Sequence, residues 1–597
     1  MRLSFSYADT KLYGNGLQDQ RLLERDYSSV YTKPDITANT SHFLNLTATH
    51  GISDRVSVAA NAYYRHIRTR TLNGDINDES LTQAVYQPNA AERAALGAAG
   101  YTGFPSAGEN ASNTPFPFWR CIANVLLNDE PGEKCNGLIN RTRTDQSNFG
   151  TSIQLTLQDQ LFGHSNQFTG GAGYDANRVK FRQSMELGFL TPDRAVIGTG
   201  AFADGVSGGF IDGEPFDNRV DLSSQSHTWS VYATNTFGLT EAWFLTLSGR
   251  YNAMSISNRD NIDPGGGASS LDGDHTFRRF NPAAGITFTP TRSVNAYLSY
   301  NEGSRAPTAI ELGCANPDEP CRLPNSMAGD PALKQVVTQT WETGVRATLA
   351  TGIHAKLALY RAENRDDILF VAAPAVPQSG FFRNFGRTRR EGLEAAIMQR
   401  IGPVSVGANY TYLDATFQSS ETVPGASNSS NSVATANPAN RGVGGGTIQI
   451  RPGNRIPLIP QHLLKAYVDY QATPTLSFNV NVIAVGSSYA RGNENNQQQS
   501  DGAFYLGSGK SSGYALVNLG AQYRVQPRLL LFAQINNLLD RQYSTAALLS
   551  PTGVTENGSF IARPFANPDA VRHATFYAPG APRTGWIGVR YSFDDRR

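Results

Sequence analysis

Four cysteines carry the most definite chemistry in this sequence, and they fall as two close pairs, Cys121 with Cys135 and Cys314 with Cys321. An even number inside segments expected to face an oxidising compartment reads as two local disulfides, although four cysteines permit three connectivities. Metal binding is the rival reading; no His lies close to either pair in sequence, and neither spacing is a standard zinc pattern. The nine His, at 42, 50, 66, 164, 227, 275, 354, 462 and 573, include no pair at metal-ligand spacing. Asp366-Asp367 and Asp594-Asp595 are adjacent carboxylates, which in a strand point to opposite faces and cannot readily act together. There is no phosphate loop, dinucleotide fingerprint or nucleophile elbow. No catalytic residue, metal site or cofactor is therefore expected. What remains is Arg305, within YNEGSRAPTAIELGC at 300–314. Its guanidinium could meet an anionic solute, or it could pair with a carboxylate of the protein itself.

The elements around Arg305 are strands. Ser293 to Tyr300 alternate, then Pro307 fixes its own backbone angle and biases Ala306 to an extended form, so the chain leaves the strand in a defined direction. The same period of two recurs along the chain. Val56, Val58, Ala60, Ala62 and Tyr64 oppose Ser57, Asn61 and Arg65; Val404, Val406, Ala408, Tyr410 and Tyr412 oppose Ser405, Gly407, Asn409 and Thr411. Leu476, Phe478, Val480, Val482 and Ala484 oppose Ser477, Asn479 and Asn481, and Ile587, Val589, Tyr591 and Phe593 oppose Gly588, Arg590 and Ser592. Tight turns at Ser53-Asp54-Arg55, Phe162-Gly163, Gly238 to Glu241, Thr289 to Thr291, Thr351-Gly352, Gly402-Pro403, Thr473-Pro474 and Gln526-Pro527 alternate with long connections. The long ones run over 69–144, 183–223, 258–275, 303–334, 417–459, 490–512 and 545–582. About eighteen strands, short turns on one side and long loops on the other are the pattern of an outer-membrane barrel. The expected fold is all-β, an antiparallel transmembrane β-barrel with short periplasmic turns and long extracellular loops. Tyr470, Tyr523 and Tyr591, near strand ends, would belong to interfacial girdles.

Composition agrees. Within 597 residues there are 57 Gly, 25 Tyr and 30 Phe but only 5 Met. The mean hydropathy of -0.36 is low for a helical membrane protein, and no apolar run reaches the roughly 18 residues of a spanning helix. Net charge is +1 with 17% charged residues, which argues against nucleic acid as a partner and against a polybasic membrane patch. The loop 417–459 is rich in Ser, Asn and Gly, a composition expected to form no core and to be mobile without a ligand. The amino end lacks a secretory signal, yet Leu3, Phe5 and Tyr7 already alternate as a strand, which suggests a piece of something longer.

Four stretches, YNEGSRAPTAIELGC at 300–314, TWETGVR at 340–346, NFGRTRREGLE at 384–394 and INNLLDRQY at 535–543, resemble the barrel of TonB-dependent outer-membrane receptors. In the last, Asn537, Leu538, Asp540 and Tyr543 match that family's pattern near the end of its penultimate strand. The resemblance implies a Gram-negative outer-membrane location and a twenty-two-stranded barrel filled by a plug. It also implies uptake of scarce solutes, an iron–siderophore complex first, or cobalamin or glycans, driven by an inner-membrane TonB-type complex. Residues 1–597 would then be the barrel domain, with about 18 of the 22 strands, and with the signal, coupling segment and plug lying upstream of Met1. The implied partners are a small-molecule metal chelate, outer-membrane lipid and, if a plug is supplied, the energy-coupling complex. A passive porin of about eighteen strands and a surface binding or adhesion receptor are the rival functions. Asn536, Asn537 and Asp540 are expected to satisfy backbone groups where strand gives way to loop. Phe593 is followed by Asp594, Asp595, Arg596 and Arg597, a departure from the final aromatic common in outer-membrane barrels.

Overall fold

A computed structural model describes residues 1–14, 16–202, 206–211, 214–218, 220–265, 270–308, 311–312, 321–322, 333–349, 352–372, 379–563 and 567–593. Along them the alternating segments pair with their sequence neighbours into one antiparallel ladder. Its strands are β1 (Arg2–Tyr13), β2 (Asp35–Ser53), β3 (Val56–Ile76), β4 (Gly137–Leu161), β5 (His164–Leu190), β6 (Val220–Gly238), β7 (Trp243–Asp260), β8 (Gly273–Thr291) and β9 (Val294–Arg305). They continue as β10 (Val336–Thr348), β11 (His354–Ala372), β12 (Ser379–Ile401), β13 (Val404–Phe417), β14 (His462–Gln471), β15 (Leu476–Val485), β16 (Tyr514–Gln526), β17 (Leu529–Asn536) and β18 (Thr584–Tyr591). Each is bonded to the next. Among the described residues the outer edges of β1 and β18 carry no strand, so the ladder does not close on itself.

Every connection after an even-numbered strand up to β16 is short, and the long ones all follow odd-numbered strands, so in a meander the long loops must gather at one end. At the β4–β5 turn both central residues have positive φ, Phe162 at 52° and Gly163 at 79°, the geometry whose twist matches a hairpin. Several strands run beyond the limits drawn from sequence. β3 continues to Ile76 and β4 starts at Gly137, rather than stopping at 69 and 144. Past the apolar band these strands lose their apolar alternation but keep pairing with each other, so hydrogen bonding extends them where the pattern has faded.

The ladder curls. Phe382 of β12 packs against the cluster formed by Phe181 of β5, Val220, Leu222 and Leu271, although seven ladder steps separate β5 from β12. The face bearing Phe181 is therefore concave. Much of this face is polar: Tyr63 Oη donates to Asp175 Oδ1 at 2.7 Å, Asn479 Nδ2 to Asp469 Oδ1 at 2.9 Å, and Asn518 Nδ2 to Asn481 Oδ1 at 2.7 Å. Tyrosine rings lie flat on it over glycines of the adjoining strand. A Cβ at Gly171 would sit 2.5 Å from Tyr232 Cζ, and one at Gly344 2.8 Å from Tyr297 Cε1. This close approach explains part of the high glycine content.

The convex face carries the apolar series, with Val231, Leu247, Leu298, Leu357, Ile397, Val468 and Val480 all exposed. Aromatic side chains border it at both ends. At the short-turn end Trp243 stacks on Phe288 at 4.3 Å, and Tyr470, Tyr523 and Tyr591 are exposed. At the long-loop end Tyr174 meets Trp229 at 4.4 Å and Tyr300 meets Trp341 at 4.8 Å.

Candidate functional site

The stretch around Arg305 is the exit of β9 into the long-loop end. Arg305 makes a two-pronged ion pair with Glu311, Nη1 to Oε2 at 2.7 Å and Nη2 to Oε1 at 3.0 Å. Thr308 and Glu311 cap each other's backbone: Thr308 N donates to Glu311 Oε2 at 2.8 Å, and Glu311 N to Thr308 Oγ1 at 3.2 Å. Leu312 is fully buried among Ile256, Leu333, Val336 and Ile368. Pro307 thus leads into a turn pinned by an ion pair above and an apolar anchor below. The Arg305 side chain is still about half exposed, at 47%. Cys314 and the side chain of Cys321 lie outside the described residues.

Two of the other three motifs fasten loops. Asn537 sits at φ 49°, takes Arg541 N on its Oδ1 at 2.8 Å and donates from Nδ2 to Arg541 O at 2.9 Å. Asp540 accepts Arg583 N at 2.8 Å, so the turn after β17 is fastened to the start of β18. In β12, Asn384 clamps Lys334 through both its main-chain groups, and buried Thr388 donates to Asp367 Oδ2 at 2.6 Å. These residues hold loops in place.

Beyond the strands, the long loops build a folded cover. Cys121 and Cys135 are joined in a disulfide, which ties the first turn of helix Trp119–Leu127 to the residues just before β4. Arg120 from this helix grips Glu92, Nη2 to Oε1 at 2.6 Å and Nε to Oε2 at 2.8 Å. Burial raises the Glu92 pKa, but the bonds from Arg120, Asn124 and the Asn89 backbone outweigh it and hold the carboxyl below its ordinary value. Loops that are far apart in sequence share a core, in which Leu22, Leu81, Val196, Val554 and Phe560 pack with Ile76 and Leu190. A small sheet extends this: Arg572–Pro579 pairs with Ser544–Thr552, with Gln18–Asp19 and with Tyr505–Leu506. Tyr27 Oη also donates to Tyr543 O at 2.5 Å. The first and last loops therefore join the two ends of the ladder.

The segment 417–459 departs from its expected character. It contains helix Ser432–Ala436 and the paired strands Glu421–Pro424 and Thr447–Ile450. Val423, Ile448 and Ile450 form a core with Phe385 and Phe417. Asn428 and Asn431 are themselves buried and hydrogen-bonded. Asn431 accepts Val433 N at 3.0 Å and Ala434 N at 2.9 Å while donating to Tyr505 Oη at 2.8 Å. Asn428 donates to Gly492 O at 3.0 Å, tying this loop to the next, within which Asn493 donates to Gly509 O at 3.0 Å. A polar composition leaves room for a few apolar anchors and for a hydrogen-bonded core, provided that every buried amide finds a partner. The Asn-rich run at 493–496 was the available signal for it. Beside this network, His573 stacks on Tyr505 at 5.4 Å and its Nδ1 lies 2.9 Å from Ser427 Oγ. Burial pushes its pKa down to about 4.

Chemically, the cover offers aromatic surface and hydrogen-bonding groups. Tyr101, 41% exposed, and Phe104 stand edge-on to Trp119 at 5.9 and 6.0 Å. Among the described residues no group of three or more His, Cys, Asp or Glu could hold a metal ion.

The chain is similar to known proteins in sequence and in fold. The protein is 24% identical over 441 residues to the probable TonB-dependent siderophore receptor PiuA of Acinetobacter baumannii, covering 71% of this chain and 53% of that one. It is 21% identical over 345 residues to the catecholate siderophore receptor Fiu of Escherichia coli K12, covering 55% and 39%. The chain thus spans about half the length, or less, of the curated relatives it matches. The crystal structure of PiuA superposes with a TM-score of 0.59 at 17% identity, over 98% of this chain and 71% of that one. The family described as TonB dependent receptor-like, beta-barrel matches residues 2–538, and the chain belongs to that family.

Proposed function

We propose that this chain forms the wall and loop cover of a Gram-negative outer-membrane receptor that captures a metal chelate and passes it inward. An iron–siderophore complex is the first candidate, because relatives across different organisms are named as siderophore receptors; cobalamin and glycans are the others. The observation that carries the reading is the pairing of a polar concave wall with a folded cover rich in aromatic and amide groups, in a chain of this family. The cover has no cluster of metal-ligating side chains among its described residues, so the metal would arrive with its own donors. Energy would come from an inner-membrane TonB-type complex acting on the whole protein. The apolar convex band between its aromatic borders fits a hydrocarbon layer. Residues 1–597 act in this reading as one barrel unit, and Cys314 with Cys321 forms a second local disulfide, for which thiol titration of the unfolded, unreduced chain should find no free cysteine.

The test is titration of the purified protein with an iron–catecholate complex, followed by tryptophan quenching. Saturable binding is expected, weakened in Arg305→Ala if that half-exposed side chain meets the anionic chelate. Absence of saturable binding to any chelate, cobalamin or glycan, together with ohmic conductance in planar bilayers, would replace the receptor by a passive pore. Binding only to cells or proteins would make it an adhesion receptor.

A further inference from the structure

Oxygen ligands on strands leave no spacing to read in a sequence, because register rather than interval brings them together. On the face that is concave at Phe181, three successive rows at the loop end of β2 to β5 carry polar side chains that are all hydroxyls, amides or carboxylates. The first row reads Thr37, Thr71, Thr142 and Gln183, the second Asp35, Asn73, Asn140 and Met185, and the third Asp75, Leu138 and Leu187. No register shift interrupts the pairings here, so the period of two sets all of them on one side. Opposite side chains on this face do meet: the Thr71 and Thr142 hydroxyls lie 2.6 Å apart, and Thr69 donates to Asn39 Oδ1 at 2.8 Å.

Three of the amides have no donor for their oxygens. Asn73 Oδ1, Asn140 Oδ1 and Gln183 Oε1 are buried and accept no hydrogen bond among the described residues, and Gln183 is only 2% exposed. Buried acceptors left unmet are costly and call for a partner. Gln183 is the diagonal neighbour of Asn140, within reach of so long a side chain. Asp75 follows Asn73 on the same face; its Oδ1 takes Ile76 N at 2.8 Å, and it makes no ion pair among the described residues. Burial above all, with the charge of Asp35 adding to it, lifts this carboxyl to about 6. Asp35 accepts Gly16 N at 2.5 Å. Cations do not answer from this face: Arg68, Arg70, Arg141 and Arg143 have the other parity along β3 and β4, and Lys33 reaches Asp193 at 3.3 Å.

We infer that Asn73, Asp75 and Asn140, with Asp35 and Gln183 beside them, bind a hard divalent cation of calcium's size. Such an ion takes about six to eight oxygens from carboxylates, amide carbonyls and water. With two carboxylates and no His, the set suits a weakly held, partly hydrated ion and not iron or zinc. The ion ties the tips of β2, β3 and β4 together, next to the cluster in which Leu138, Met185 and Leu187 pack on the Cys121–Cys135 disulfide. This assignment goes beyond the receptor reading and holds whether or not the chain captures a chelate.

The purified full chain, stripped of divalent ions in a detergent without phosphate, is titrated with calcium chloride, and bound calcium is counted by equilibrium dialysis. One ion per chain is expected, with a Kd on the order of 10⁻⁴ to 10⁻³ M. Asp75→Asn should weaken binding roughly tenfold or more, whereas Asp569→Asn, at an exposed loop carboxylate, should match the native chain. Asn73→Asp adds ligand charge and should tighten binding roughly tenfold, which a merely structural asparagine would not do. Calcium should also slow hydrogen exchange of the 71–77 and 136–142 amides in the native chain but not in Asp75→Asn. No ion bound at about 10 mM calcium, or equal affinity in the native chain, Asp75→Asn and Asn73→Asp, overturns the inference. If methylammonium chloride slows exchange of those amides and calcium does not, the rows take an organic ammonium group and the inference fails. Should Asp75→Asn misfold, the tightening in Asn73→Asp must still appear for the assignment to stand.

Discussion

Acidification should loosen the loop cover through His573. Its imidazole is 2% exposed, stacked on Tyr505, at the meeting of the 425–443, 500–507 and 572–576 segments. The folded pKa is about 4 against an ordinary value of 6.5, so between those values the open state binds more protons and stability rises with pH. The contribution is fully present above pH 6.5 and is lost as pH falls toward 4. At pH 5 the loss is about 2 kcal/mol, and it approaches about 3 kcal/mol at pH 4. Hydrogen exchange of the 425–443 and 572–576 amides, corrected for intrinsic rates, should show protection falling roughly thirtyfold from pH 7 to pH 5. His573→Phe keeps the stack without the titration, and should flatten that dependence. Protection that does not change with pH in the native chain, or changes equally in His573→Phe, would refute the reasoning.

Three further outcomes follow from the wall and the cover. Val480→Arg should destabilise the reconstituted protein by about 2 to 4 kcal/mol while Asn479→Arg is mild, as read by denaturant titration in lipid; equal effects would reverse the assigned faces. Gly407→Leu should force the Tyr467 ring off the wall and cost about 1 to 3 kcal/mol, largely relieved by adding Tyr467→Ala, because Tyr467 lies over that glycine. Asn431→Ala removes the cap of helix Ser432–Ala436 and a bond to Tyr505. It should cost about 1 to 3 kcal/mol of local stability, visible as faster proteolysis in 425–450 with the strands unaffected.

The sequence by itself determined the wall. Alternation in segments such as Val404 to Tyr412 sets which residues share a face, and turns such as Phe162-Gly163 set where the chain reverses; both are local, within reach of a period of two and a two-residue loop. The motifs INNLLDRQY and NFGRTRREGLE marked the family, and their role as fasteners was legible for Asn537 and Asp540 because Asn and Asp bond nearby backbone. Tertiary structure alone decided the rest. Glu311 as the partner of Arg305 depends on a capped turn after Pro307, and the core of the 417–459 segment depends on partners such as Gly492 and Tyr505 more than sixty residues away. The rows across the wall show the reason most clearly. Arg68, Asp145, Lys180 and Ser223 are scattered over more than 150 positions of a chain whose net charge is +1, and only the hydrogen-bond register of four strands sets them in one row.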